Sequence, residues 1–246
     1  MSLRLVSSDS ETDRTGASLP AERTYLRLAA HLHELIRKGE FAAGQRLPAE
    51  RALAEQFNVS RTTLREAIIA LEIQGVVEVR GGSGISVCAA SGAAGGVLPL
   101  ARENGPSPFE LLRARGLIES EIAAAAAASR TDGDLDRMFA ALATMREKMD
   151  DKGANAAADR QFHLHIAAAT DNSVLVQSVA NLWDMARGPI WTQIEQHFHL
   201  TELRLKSQDD HQRIFAAIMA RNAEDARAAM RGHLERVMNE FAQSWR

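Results

Sequence analysis

Apolar positions near the start of the chain recur at helical spacing. Leu28, Leu32, Leu35 and Ile36 lie three and four residues apart between about Glu22 and Gly39, predicting an amphipathic helix that the glycine ends. A shorter run follows, with Leu53, Ala54 and Phe57 inward and Pro48 near its first turn, where a missing N–H costs nothing. Phe57-Asn58-Val59 reads as a tight turn, because asparagine tolerates left-handed backbone. Ser60 then caps a third helix whose apolar stripe is Leu64, Ala67, Ile68 and Leu71. Arg61, Thr62 and Arg65 fall away from that stripe, and Gly75 follows the helix. Val76–Val79 and Ile85–Val87 flank Gly81-Gly82-Ser83-Gly84, which predicts a β-hairpin. Two helices, a turn, a third helix and a hairpin make a winged helix-turn-helix.

Residues 1–20 are polar and aperiodic and read as a disordered leader, so the winged domain spans 21–88. Residues 89–108 are rich in Ala, Gly, Ser and Pro and read as a linker. Beyond it every pattern is helical: 109–129, 132–150, 154–170, 173–194, 203–221 and 222–244. The expected fold is therefore mainly α, a winged helix-turn-helix joined to an all-α bundle over 109–246.

Composition adjusts this picture in two places. A single cysteine, Cys88, excludes an internal disulfide framework, and no apolar run is long enough for a membrane span, so a cytoplasmic protein is expected. The net charge of -3 argues against a polybasic nucleic-acid binder. Residues 21–88 carry nine Lys/Arg against eight Asp/Glu, or +1. Any specific DNA binding must then rest on a few well-placed residues, presented twice in a homodimer.

Arg61, Thr62 and Arg65 are the candidates for the major groove, where one bidentate arginine–guanine pair contributes roughly 1–3 kcal/mol of discrimination. Arg51 on the preceding helix is placed for phosphate, which sets register. Arg80, Gly81 and Gly82 form the wing tip, where glycine backbone can approach the duplex closely. A lone exposed arginine more often solvates than reads bases; turn, stripe and wing together favour reading.

The bundle carries polar residues on otherwise apolar stripes. Asp159 and His163 share a helix face with Ile166; His211 lies with Ile214, Phe215 and Ile218; His233 lies with Ala226, Met230 and Val237. One such histidine is more often a hydrogen-bonded core residue, but three with a carboxylate point to a buried divalent metal. Donors without thiolate suit zinc first, and also nickel, manganese or iron.

Both constellations resemble the GntR family of bacterial transcription regulators. Leu47–Arg51, Val59–Ala67 and the glycine wing are similar to its N-terminal domain. The C-terminal part resembles the ligand-sensing domain of the FadR-type branch in Arg115-x-x-x-Glu119, Asp159-x-x-Phe162-His163, Thr170-Asp171-Asn172, a helix start at Asp210-His211, and Gly232-His233-Leu234. The resemblance implies DNA contacts at Arg51, Arg61, Thr62, Arg65 and Gly82, beside which Ser60 and Thr63 are further candidates, and metal ligands at Asp159, His163, His211 and His233. It also implies a pocket arginine at Arg115 and a pocket-adjacent Asn172, although Thr170-Asp171-Asn172 replaces the more usual Ser-Gly-Asn. Leu182-Trp183-Asp184-Met185, Pro189-Ile190-Trp191 and Glu195-Gln196-His197 are similar to hexuronate-responsive regulators.

The expected protein is a homodimeric repressor on double-stranded operator DNA, with no membrane partner and no enzymatic activity. A small carboxylate, such as a sugar acid, would bind the metal and pair with Arg115. Arg115 has a second reading as a surface ion-pair partner of Glu119. Two alternatives stand beside the regulator: a metal-dependent hydrolase using the Asp/His cluster, against which no further inward acid or base is apparent from spacing, and a metal that only staples the bundle.

Overall fold

The computed structural model describes residues 24–80, 84–89, 106–186 and 201–243. The expected leader, most of the linker, Gly81 and Gly82 of the wing tip, and the 189–197 segments lie outside the described residues.

Helices α1 (Thr24–Arg37), α2 (Glu50–Gln56) and α3 (Arg61–Ile73) precede strands β1 (Val77–Arg80) and β2 (Gly84–Val87). Leu32, Leu53, Leu64, Ile68 and Leu71, the expected stripes, are fully buried where the three helices meet. Asn58 adopts φ 50° in the turn before α3, as its short polar side chain permits. The Ser60 hydroxyl accepts from the Thr63 N–H at 3.0 Å and starts α3. The antiparallel strands pair Val77 with Val87 and Arg80 with Gly84. Unforeseen in sequence, the segment before α2 joins this hairpin: Leu47 N–H donates to Ile85 carbonyl at 2.8 Å, and Val87 N–H to Gln45 carbonyl at 2.9 Å. Gly84 sits at φ +81°, where an added Cβ would lie 2.7 Å from the Arg46 guanidinium.

Among the described residues the bundle contains α4 (Pro108–Ser129), α5 (Asp132–Glu147), α6 (Lys152–Ala168), α7 (Ser173–Met185), α8 (Thr201–Met219) and α9 (Ala223–Gln243). Ser107 and Glu110 form a capping box that starts α4 at Pro108, inside the expected linker. Asp151 caps α6, which begins at Lys152, two residues before the expected start. Phe162, Met138, Ile166, Ile214 and Ile218 fill the core.

Three helices are tied at one end. Ser129 donates to the Ala169 carbonyl at 2.7 Å, Arg130 to the Met219 carbonyl at 2.6 Å, and Arg221 to the Ala128 carbonyl at 3.0 Å. The C-terminal ends of α4, α6 and α8 therefore meet, the three run parallel, and their N-terminal halves share the opposite end of the bundle. No described helix is long and apolar enough to cross a membrane.

Candidate metal centre and DNA-reading helix

Three inward stripes deliver four polar side chains to the same point, two of them from α6. Nε2 of His211 lies 3.2 Å from Asp159 Oδ1 and 3.3 Å from His233 Nε2, and Nε2 of His163 lies 3.5 Å from Asp159 Oδ1. The three rings offer one nitrogen each, all within 4.8 Å of one another. Donors bonded at about 2.1 Å to one ion stand roughly 3–3.5 Å apart, so this spacing fits a shared coordination shell. Asp159 Oδ1 and His163 Nε2 are buried and make no hydrogen bond among the described residues, as expected of atoms built to face a cation.

Two buried carboxylates orient the rings. Nδ1 of His163 faces Glu119, and Nδ1 of His233 faces Asp210 Oδ2 at 3.3 Å. A carboxylate only accepts, so each Nδ1 carries the proton and leaves the Nε2 lone pair pointing inward. Burial lowers the pKa of His211, and burial likewise lowers that of His233, which favours their neutral, ligating form. Burial also works against a charged His163, but the Glu119 and Asp159 carboxylates outweigh it and raise its pKa. For Glu119, burial pushes the carboxyl up while Arg115 and His163 outweigh it and hold it down at about 2.

Glu119 and Asp210 are inward-facing acids that spacing did not reveal. Glu119 reads as a surface partner of Arg115, on a helix so rich in alanine that its polar pattern fixes no face. Asp210 precedes His211, and neighbours on a helix are not expected to share a face. The Asp210-His211 pair also lies in the middle of α8 rather than at a helix start.

Arg115 unites both of its expected roles and alters each. Its Nε donates to Glu119 Oε1 at 2.6 Å, but the pair is buried rather than solvated. Its guanidinium stacks over Trp183, 4.1 Å from the ring centroid, and borders a cavity of about 370 Å³. Asp159, His211 and His233 line the same cavity, as do Lys152, Arg160 and Arg204. Asn172 is not among the lining residues; its side chain accepts from the Val174 and Leu175 N–H groups and caps α7.

The candidate DNA residues among those described lie on α2 and β1 and along the first turns of α3 with its cap. Arg61 is exposed and Thr62 half-buried. Arg65 departs from the expected solvent position: its side chain is 19% exposed and its Nε donates to Glu50 Oε2 of α2 at 2.9 Å. Ser60 and Thr63 are engaged with each other through their hydroxyls at 2.8 Å. Arg51 and Arg80 are exposed and paired with Glu55 and Glu78, both at 3.0 Å.

Known proteins match this chain across both regions. Residues 24–87 match the bacterial regulatory proteins of the gntR family, and residues 110–236 match the FCD domain. The Uxu operon transcriptional regulator of Escherichia coli K12 is 41% identical over 221 residues, which cover 88% of this chain and 86% of that regulator. The Exu regulon transcriptional regulator of the same strain is 39% identical over 218 residues, covering 87% and 82%. The solved structure of E. coli McbR/YncC aligns with a TM-score of 0.50 at 22% identity, covering 91% of this chain and 99% of that one, and shares the fold. These relatives are regulators, which sets aside the metal-dependent hydrolase. The chain belongs to the GntR family, as a DNA-binding transcriptional regulator whose C-terminal half is an FCD domain.

Proposed function

We propose that a small carboxylate, a sugar acid in the first instance, binds the cavity beside a divalent ion held by Asp159, His163, His211 and His233, and so controls affinity for operator DNA. The observation that carries this reading is the convergence of four donor atoms beside a cavity bordered by Arg115, Lys152, Arg160 and Arg204. The bound ion would supply positive charge and open coordination positions for a carboxylate, with zinc, nickel, manganese or iron all compatible with the donors. Arg115, already fixed by Glu119 and Trp183, adds a rigid cation beside it.

DNA is read by Arg61, Thr62 and Arg65, with Arg51, Arg80, Gly81 and Gly82 on the backbone and Ser60 and Thr63 shaping the start of the reading helix. Control runs through α4. It holds Arg115 and Glu119 at the cavity end of the message and Ser107 at the other, where Ser107 touches Glu66 on α3. The protein acts as a cytoplasmic homodimer on a two-fold operator, as a repressor. A groove between α4 and α9 lined by Leu112, Leu117, Leu234 and Met238, with Leu117 exposed, supports self-association there.

A thermal-shift screen of sugar acids and other carboxylates, with and without chelator, tests this reading. An acid should raise Tm only in the metal-loaded chain. If chelation lowers Tm but no acid raises it, the ion is a structural staple.

A further inference from the structure

The cavity has two ends, and the metal centre accounts for only one. On α8 the lining residues Arg204, Ser207, Gln208 and His211 follow the three- and four-residue spacing of a single helix face; on α6 Lys152, Asn155 and Asp159 do the same. In each helix a cation stands seven residues before a metal-facing side chain, about 10 Å at roughly 1.5 Å per residue. Because α6 and α8 run parallel, Lys152 and Arg204 lie towards the same end, which is also the end where α4 begins at Ser107.

The cations around the cavity are not equally engaged. Arg115 is paired with Glu119 and Arg160 with Asp184 at 3.2 Å, so their charges are answered within the protein. Arg204 has no acidic partner among the described residues, and its buried Nε makes no hydrogen bond there. Its polar neighbours do not compensate. The Ser207 hydroxyl accepts from Arg236 at 3.0 Å, and the Gln208 amide donates to the Leu142 carbonyl at 3.2 Å. A guanidinium with a desolvated, unanswered N–H at a cavity wall is an oxygen-binding group.

We propose that Arg204 is a specificity-determining residue that binds the far end of an extended polyhydroxy acid, one whose carboxylate sits at the metal and whose distal oxygens reach two helical turns along α8. This rests on the metal-centred reading above and adds a length requirement to it. A two- or three-carbon acid fills the metal end alone. An acid derived from a hexose spans both ends, with Lys152 flanking its distal oxygens.

The test is isothermal titration of the full chain loaded with Zn²⁺. One panel comprises acetate, glycolate and lactate, the other six-carbon aldonic, uronic and aldaric acids, against wild type, Arg204→Ala and Arg204→Gln. The tightest six-carbon acid should lose about tenfold or more in affinity in both variants, the scale of a lost charge-assisted hydrogen bond. Short acids should change less than about twofold, and metal content should be unchanged. Equal losses for short and long acids, or undiminished binding of the long acid, overturn the role of Arg204 while leaving the metal-centred reading intact. If wild type binds no acid from either panel, both fall together.

Discussion

The hydroxyl of Ser107, which caps α4, donates to the buried carboxylate of Glu66 on α3, the proposed DNA-reading helix. This polar contact joins the two halves of the molecule, whose buried apolar residues also form one continuous cluster. Burial pushes Glu66 up to about 7; the Ser107 hydroxyl opposes that, Glu110 adds to it, and Arg113 and the Phe109 N–H oppose it.

A pH dependence follows from that carboxyl. Folding raises its pKa above the ordinary Glu value of about 4.3, so the folded protein binds the extra proton and loses stability as pH rises towards 7. Glu66→Gln keeps an acceptor for Ser107 without the charge. It should melt close to wild type at pH 5 and be more stable at pH 8, on the order of 1–3 kcal/mol. A melting difference of the same size at both pH values contradicts the assignment.

Ser107→Ala removes both the cap of α4 and its tie to α3. A lost cap costs about 1 kcal/mol. The variant should bind acid and metal as wild type does, while the acid's effect on DNA affinity shrinks. Unchanged coupling in a DNA titration with and without acid would place the transmission route elsewhere.

At the metal centre, His211→Ala combined with His233→Ala should eliminate the bound ion by elemental analysis. Glu119→Gln is milder, because it leaves every donor in place and loosens the ring of His163 together with the guanidinium of Arg115. It should weaken metal binding about 10- to 100-fold in a competition assay with a chromophoric chelator. Full affinity in Glu119→Gln would show that the carboxylate serves Arg115 alone.

On α3, Arg65→Ala should abolish specific operator binding. The ion pair with Glu50 adds a small stability cost, about 0.2–1 kcal/mol, that a freely solvated arginine would not. Arg61→Ala should weaken DNA binding with no change in Tm. Operator affinity unchanged in both variants sinks the reading-helix assignment.

The inner parts of this site were more legible in sequence than its supports. Asp159, His163, His211 and His233 each interrupt an apolar stripe, and periodicity alone turns such residues inward. Glu119 and Asp210 carry no such mark, because their helices are alanine-rich or charged on several sides and burial comes from tertiary packing. The winged fold was legible from caps and turn residues, Ser60, Asn58 and Gly75 among them. The 45–47 segment pairing with β2 was not, since it has no strand pattern of its own. Nor was the parallel alignment of α4, α6 and α8, which rests on contacts such as Arg221 to Ala128 between residues distant in the chain. Asn172, expected beside the pocket from a turn motif, caps α7 and is not among the residues lining the cavity.

The central claim is that an acid acts on DNA binding through the metal centre. Fluorescence anisotropy with DNA from the promoter regions adjoining the protein's own gene tests it most directly, comparing metal-loaded and chelated protein with and without an acid that raises Tm. The acid should change the DNA Kd by about 5- to 150-fold in the metal-loaded protein and leave it unchanged after chelation. An identical Kd with and without acid, or the same shift in chelated protein, contradicts the account.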